Sequence, residues 1–145
     1  NLVQSIIEKG GSAVNYCKVT GLLKNKEGKI EGAVVLNEES KVSYTVKAKA
    51  VVNATGVFVD DILHMDNAAA PKSICVSQGV HLVLDKKFYP SAHALMIPET
   101  SDGRVLFAVP WHDKVVVGTT DTPVEEASLE PKALEKEINF ILETA

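Results

Sequence analysis

The strongest indication of the fold comes from the stretch Ala50-Val51-Val52-Asn53-Ala54-Thr55-Gly56. It completes an almost wholly apolar run, residues 48–54, which is typical of a strand that is buried on both faces of a sheet. The Ala-Thr-Gly end would bring backbone without bulky side chains to the carboxyl edge of that sheet, where a dinucleotide can approach. A strand followed by an ordinary tight turn explains the same residues equally well, so both interpretations stay open here.

Upstream of this stretch, the sequence predicts a helix and a three-stranded meander. Apolar residues at helical spacing run from Leu2 to Ile7, and Gly10-Gly11 ends the pattern. The pattern then changes to that of strands separated by turn-forming residues, with the strands predicted at residues 19–23, 30–36 and 42–46. Downstream, residues 60–63 are predicted to form a short helix, and residues 65–72 to cross between two domains.

The second half is predicted to form a mostly antiparallel sheet and a final helix. Prolines and the Asp102-Gly103 turn separate candidate strands at residues 73–77, 80–84, 94–97, 105–109 and 115–118. A helix capped by Ser128 tolerates Pro131 in its first turn and carries an apolar stripe of Leu134, Ile138, Ile141 and Leu142. The fold class is therefore α+β, with domains predicted at residues 1–70 and 71–145.

Composition and charge exclude several classes of protein. The 145 residues are 46% hydrophobic and 23% charged, as in a globular protein, and no apolar run reaches the roughly 20 residues of a membrane-spanning helix. With a net charge of −4 and no large basic cluster, nucleic acid is not an expected partner. Cys17 and Cys75 lack CxxC spacing, which predicts free thiols in a reducing compartment. The four histidines show no metal-ligand spacing, so no metal is expected.

A histidine stands out in the stretch Ser77-Gln78-Gly79-Val80-His81-Leu82-Val83-Leu84. On a strand, His81 and Val83 share one face, whereas the apolar neighbours on either side of them occupy the other. An imidazole in this position can act as an acid or a base near neutral pH. A structural histidine that only forms hydrogen bonds is the alternative.

A third informative segment predicts a hairpin. It runs from Asp102 to Trp111 (DGRVLFAVPW) and continues after a loop as Val115 to Asp121 (VVVGTTD). The hydroxyl groups of Thr119 and Thr120 at the end of the second strand would either line a pocket or cap a turn.

Together, these three segments resemble the flavin-dependent glycerol-3-phosphate dehydrogenases of the amino-acid-oxidase-like flavoprotein superfamily. The resemblance covers nearly the whole chain and is carried by VVNATG with a following VD, by the G-x-H strand, and by GRVLFAVPW followed by VGTTD. It implies that residues 1–70 are the C-terminal part of a Rossmann-like FAD-binding domain. Residues 71–145 would be part of a substrate-binding domain whose antiparallel sheet covers the isoalloxazine ring.

The resemblance also implies the residues of a site. Val19 resembles the position whose backbone meets the adenine end of FAD, and Ala54, Thr55 and Gly56 resemble the loop at the cofactor edge. His81 resembles the histidine that faces the substrate. Two departures are present, since many relatives have Pro-Trp in place of Val57-Phe58 and a lysine in place of Gln78.

The implied activity is the oxidation of sn-glycerol 3-phosphate to dihydroxyacetone phosphate with FAD, followed by electron transfer to a quinone or to oxygen. The implied location is cytoplasmic, with peripheral association at the inner face of the cell membrane. Because these residues contain no GxGxxG motif and Arg104 is their only arginine, we expect them to lack bound flavin and activity by themselves and to belong to a longer protein. A related flavoenzyme for an amine or a 2-hydroxy acid, and a β-rich binding module without redox activity, are the alternatives.

Overall fold

The computed structural model describes all of residues 1–145 and has a mixed α+β fold. The chain divides into two compact units, residues 1–73 and 74–145, and each is described by itself. The division falls between Ser73 and Ile74, whereas the sequence placed a domain boundary after Ala70. The assignment of one unit to cofactor and the other to substrate stays a prediction. None of the helices is long and apolar enough to cross a lipid bilayer.

The first unit begins with helix α1 (Leu2–Glu8) and a three-stranded antiparallel sheet, both as the sequence predicts. Strands β1 (Cys17–Lys24) and β3 (Ser43–Lys47) flank β2 (Ile30–Asn37). Asparagine side chains close both turns of the meander. The Oδ1 atom of Asn25 accepts hydrogen bonds from two backbone N–H groups at 3.0 and 2.9 Å, and Asn37 Oδ1 does the same at 2.9 and 2.9 Å.

The predicted buried strand at residues 48–54 is not a strand in this structure. Apart from one hydrogen bond from the backbone N–H of Ala48 to the carbonyl of Glu31 at 2.9 Å, the segment pairs with no strand, and the side chain of Val52 is 84% exposed. An apolar run becomes a buried strand only when neighbouring strands pair with it on both sides. Residues 48–54 have no such neighbouring strands in this structure. A single 3₁₀ turn (Gly56–Phe58) then leads into helix α2 (Val59–Asp66), which the sequence predicted at residues 60–63.

The second unit contains a four-stranded antiparallel sheet in the order β5-β8-β7-β6. These strands are β5 (His81–Asp85), β6 (Leu95–Ile97), β7 (Leu106–Trp111) and β8 (Lys114–Gly118), and all four were predicted. The strand predicted at residues 73–77 is wrong, because only β4 (Ser77–Gln78) forms there. It pairs with β9 (Thr122–Pro123), a two-residue strand that the sequence did not reveal.

One face of the four-stranded sheet packs against the last helix, α3 (Glu135–Thr144). The core is formed by side chains that are less than a tenth exposed, namely Leu106, Ala108, Val115, Val117 and Ile141. Full burial of a Leu, Ile or Val side chain is worth about 1.5–3 kcal/mol. The core of this unit therefore lies between the sheet and α3, and the opposite face of the sheet stays open.

Helix α3 begins later than predicted. Ser128 does not cap it, because its hydroxyl accepts a hydrogen bond from the backbone N–H of Glu130 in a separate turn. Leu134 has an extended backbone, and its N–H donates to the Glu137 carboxylate at 2.8 Å, which fixes the first turn of the helix. Of the predicted apolar stripe, only Ile141 is fully buried, while Leu142 is 52% exposed.

Candidate active site

His81 lies at the start of β5, on the open face of the sheet. The strand alternates as predicted, since His81 and Val83 are exposed while Leu82 and Leu84 pack toward the core. The register pairs His81 with Gly118 of β8. A Cβ atom at residue 118 would lie 2.7 Å from Cδ2 and 3.0 Å from Cγ of the imidazole. The ring therefore occupies the space that the missing side chain of Gly118 leaves.

The surroundings of His81 on the open face are apolar. We define this open face by the paired rows His81–Gly118–Phe107–Met96 and Val83–Val116–Val109. Its outer side chains are strongly exposed, with values of 64% for Val83, 57% for Met96 and 44% for Phe107. Large exposed apolar surfaces commonly mark binding sites. The open face thus presents one titratable imidazole at the edge of a surface suited to a flat, apolar group.

Two threonines hold the residue that precedes His81. The backbone N–H of Val80 donates to Thr120 Oγ1 at 3.0 Å, and the hydroxyl of Thr119 has two carbonyl oxygens as alternative acceptors, that of Thr120 at 3.1 Å and that of Val80 at 3.3 Å. Thr120 is 3% exposed, whereas Thr119 is exposed. The hydroxyl groups of the Gly-Thr-Thr-Asp segment therefore form hydrogen bonds within the protein rather than line an open pocket.

A buried carboxylate lies behind these threonines. Glu137 is 2% exposed. Burial raises the pKa of its carboxyl, but hydrogen bonds outweigh this effect and hold the pKa below its ordinary value; the donors are the backbone N–H of Leu134 and the side chains of Thr122, Gln78 and Thr120. The sequence analysis missed Glu137, although one signal was available. Its spacing from Leu134 and Ile141 places this charged residue on the apolar stripe of α3.

Arg104, the only arginine, is already engaged within its turn, where the sequence placed it. Its guanidinium pairs with the carboxylate of Asp102 and lies 5.0 Å above the ring of Phe140. The guanidinium and the hydroxyl of Thr100 hold the pKa of the Asp102 carboxyl well below its ordinary value. Arg104 is therefore poorly placed to bind a phosphate group.

In the first unit, Ala54, Thr55 and Gly56 are exposed and lead from the unpaired segment into the 3₁₀ turn. Asn53, which the sequence analysis did not single out, fixes this loop. Its Oδ1 accepts from the hydroxyl of Thr55 at 2.7 Å, and its Nδ2 donates to the carbonyl of Val59 at 2.9 Å. Gly56 has φ +59°, and a Cβ atom there would have no neighbour within 4 Å, so the backbone is open to a ligand.

Val19 lies in the middle of β1 and pairs with Val35. Its side chain is half-buried, and the ladder is irregular between Val19 and Gly21. Val19 and residues 54–56 belong to the first unit, and His81 belongs to the second. Their functional roles stay predictions.

Clusters of metal ligands and disulfides are absent from this chain. No group of three or more His, Cys, Asp or Glu side chains is arranged to hold a metal ion. Cys17 and Cys75 are separate free thiols.

This chain belongs to the family of FAD dependent oxidoreductases, whose sequence pattern matches residues 1–145. Within that family it is similar to glycerol-3-phosphate dehydrogenases, which confirms the resemblance found in the sequence. It is 39% identical to the mitochondrial glycerol-3-phosphate dehydrogenase of Schizosaccharomyces pombe, covering 97% of this chain and 23% of that protein. It is 34% identical to the aerobic glycerol-3-phosphate dehydrogenase of Staphylococcus aureus (strain USA300), and that match covers 94% of this chain and 24% of that protein.

A solved structure has the same fold. The glycerol-3-phosphate dehydrogenase of Bacillus halodurans, determined in complex with FAD, superposes with a TM-score of 0.87 at 34% identity. The match covers 95% of this chain and 28% of that structure. The chain thus spans about a quarter of the length of the relatives that it matches.

Proposed function

We propose that this chain is part of an FAD-dependent dehydrogenase that oxidises the secondary alcohol of sn-glycerol 3-phosphate to dihydroxyacetone phosphate. The observation that carries the proposal is the position of His81, an exposed imidazole seated over Gly118 at the edge of an apolar sheet face. The names of the similar proteins support the substrate, and the family supports the cofactor.

Two surfaces of the chain fit a flavin dinucleotide in chemical character. In the first unit, the loop Ala54-Thr55-Gly56 offers exposed backbone, and Asn53 holds it in shape. Val19 is the proposed contact to the adenine end. In the second unit, the open face offers apolar side chains to a planar ring system. When bound, FAD supplies the hydride acceptor of the reaction.

The proposed role of His81 is to accept the proton of the substrate hydroxyl. Oxidation of the alcohol removes a hydride from carbon and a proton from oxygen, so that two electrons leave with the hydride. A ring nitrogen of His81 takes the proton, and positioned bases of this kind contribute about 10²–10⁴-fold to the rate. The neighbouring apolar side chains would exclude water from the imidazole once flavin and substrate cover the open face.

The phosphate group of the substrate is proposed to bind arginines outside these 145 residues. Arg104 is paired with Asp102, and Gln78 carries no charge and donates to the carboxylate of Glu137 at 2.8 Å. Arginine forks are the usual ligands of phosphate groups. We also propose a quinone or oxygen as electron acceptor, and a cytoplasmic location with peripheral contact to the inner face of the cell membrane. The name of the Staphylococcus relative, which calls it aerobic, agrees with such an acceptor.

Anaerobic bleaching of the flavin tests the proposal. The full-length protein, purified with its flavin, is mixed in turn with glycerol 3-phosphate, glycerol, a 2-hydroxy acid and a primary amine. Loss of the visible flavin absorbance with glycerol 3-phosphate alone is expected. Bleaching only by the hydroxy acid or the amine would assign the chain to a different flavoenzyme, and the absence of flavin would refute the proposal.

A further inference from the structure

The buried carboxylate of Glu137 is connected to the backbone next to His81 by two hydrogen bonds in series. Its Oε1 atom accepts from the hydroxyl of Thr120 at 3.2 Å. The oxygen of that hydroxyl accepts from the backbone N–H of Val80 at 3.0 Å. Only a hydroxyl can donate and accept in this way at one atom, so the chain of bonds requires a Ser or Thr at residue 120.

The other oxygen of the carboxylate anchors α3. Oε2 accepts from the backbone N–H of Leu134 at 2.8 Å and from Nε2 of Gln78 at 2.8 Å. Gln78 belongs to β4, which ends three residues before His81. Glu137 therefore ties the first turn of α3 to the segment that leads into β5. Because Glu137 and Thr120 are 2% and 3% exposed, water cannot replace these bonds.

We propose that Glu137 is a positioning residue, which through Thr120 holds Val80 in place and thereby fixes the imidazole of His81 against Gly118. The inference rests on the proposed function of His81. Val80 is held on its N–H by Thr120 and on its side chain by the core of the second unit. The residue before His81 is thus fixed on two sides, which limits the freedom of the imidazole.

Loss of the hydrogen bonds from Glu137 through Thr120 to Val80 is therefore expected to lower the rate of flavin reduction more than it lowers the stability of the protein. A displacement of a catalytic group by about 1 Å can cost about 10²-fold in rate. A carboxylate that only anchored α3 would instead change the melting temperature, leaving the bound flavin and its reduction as they were.

The test compares four single variants and one double variant of the full-length flavoprotein, of which three carry the main comparison. Thr120→Val keeps the shape of the side chain and removes both hydrogen bonds, whereas Thr120→Ser keeps both. Ile141→Val loosens the packing of α3 and leaves the hydrogen bonds among Glu137, Thr120 and Val80 in place. Anaerobic stopped-flow mixing with glycerol 3-phosphate gives the limiting rate of flavin reduction and the apparent substrate affinity. Flavin content and melting temperature are measured in parallel.

We expect Thr120→Val to slow flavin reduction by about 10-fold or more with flavin content retained, since it frees the segment before a catalytic group. Thr120→Ser should stay within about 2-fold of wild type, because the hydroxyl remains. Ile141→Val should lower the melting temperature and leave the rate unchanged. Glu137→Met has a similar volume and no oxygen to accept from Thr120, so it should slow reduction as Thr120→Val does. The double variant Thr120→Val/Glu137→Met should be no slower than the slower single variant, because both changes act through one chain of bonds.

A wild-type rate in Thr120→Val would overturn the inference, as would equal slowing in Ile141→Val at a matched loss of melting temperature. A failure of Thr120→Ser to restore the rate would also overturn it. If His81→Gln is slow while Thr120→Val is not, the positioning role fails and the proposed function stands. If glycerol 3-phosphate does not bleach the wild-type flavin, the proposed function fails; crystal structures then decide, with a displaced His81 ring in Thr120→Val supporting the positioning role and an unmoved ring refuting it.

Discussion

The imidazole of His81 lies against Gly118 of the neighbouring strand, at a distance that leaves no room for a side chain at residue 118. A Cβ atom there would lie 2.7 Å from Cδ2 of His81 and 2.9 Å from the carbonyl oxygen of Val80. Gly118 is buried between β5 and β7, where it also pairs with Phe107. The absence of a side chain at residue 118 therefore decides where the imidazole lies on the open face.

Gly118→Ala is expected to displace His81 and slow flavin reduction by about 10-fold or more in the full-length enzyme. The alanine methyl group overlaps both the ring and the carbonyl oxygen of Val80, so the ring must move. Anaerobic stopped-flow reduction by glycerol 3-phosphate measures the effect. Val117→Ala, on the same strand but on the core face, is the control, and it should lower the melting temperature and leave the rate nearly unchanged. A wild-type rate in Gly118→Ala would show that the position of the ring is not critical.

Asn53→Ala is expected to weaken the retention of FAD by the full-length protein. The change removes the acceptor for Thr55 and the donor to Val59, and loss of one such hydrogen bond costs about 0.5–1.5 kcal/mol, or up to about 10-fold in affinity. Asn25→Ala removes equivalent backbone hydrogen bonds from a turn of the meander and serves as the control. Equal flavin content in both variants after extensive dialysis would contradict the role given to residues 54–56.

Ile141→Ala is expected to destabilise the second unit by about 2–5 kcal/mol, because it leaves a cavity in the core. Ile141 is completely buried, whereas its neighbour Leu142 is 52% exposed. Leu142→Ala should therefore cost much less. Urea denaturation of both variants measures the difference, and similar losses of stability would show that α3 is not packed as described.

Acid is expected to remove a stabilising contribution of Glu137. Burial raises the pKa of this carboxyl, but one backbone and three side-chain hydrogen bonds leave it below its ordinary value. Such a group stabilises the fold above its unfolded pKa of about 4.3, and the contribution is lost as pH falls through the lower folded pKa.

The difference in melting temperature between wild type and Glu137→Gln should consequently be constant above about pH 6 and shrink below about pH 4. Differential scanning calorimetry over this range measures it. Asp102→Asn serves as the comparison. It removes a second carboxyl with a depressed pKa, which is exposed at the surface rather than buried. A Glu137 difference that does not change with pH would mean that its carboxyl has the same pKa in the folded and the unfolded protein, which contradicts the lowered pKa.

The elements that depend on local sequence could be predicted, and those that depend on distant partners could not. The meander follows from alternation and from Asn25 and Asn37 in its turns, which are local signals. Residues 48–54 have the composition of a buried strand, but strand formation requires a paired neighbour, which these residues do not have. The pairing of β4 with β9 joins residues more than 40 positions apart and leaves no mark on either segment.

The same distinction applies to the site. The position of His81 follows from strand alternation, because side chains at successive residues point to opposite faces. Glu137 was missed because its burial depends on donors from Gln78, Thr120 and Thr122, which the fold brings together from distant parts of the sequence. Ser128 was wrongly chosen as the helix cap because the carboxylate of Glu137, rather than a local hydroxyl, satisfies the first turn of α3.

The central claim, that His81 takes the proton of the substrate, is tested most directly by His81→Gln in the full-length enzyme. Stopped-flow flavin bleaching by glycerol 3-phosphate under anaerobic conditions isolates this step. The account predicts that the variant keeps its FAD and reduces it about 10²–10⁴-fold more slowly than wild type. A variant that keeps its flavin and reduces it at nearly the wild-type rate would contradict the claim, and one that loses both flavin and solubility would show that His81 is structural.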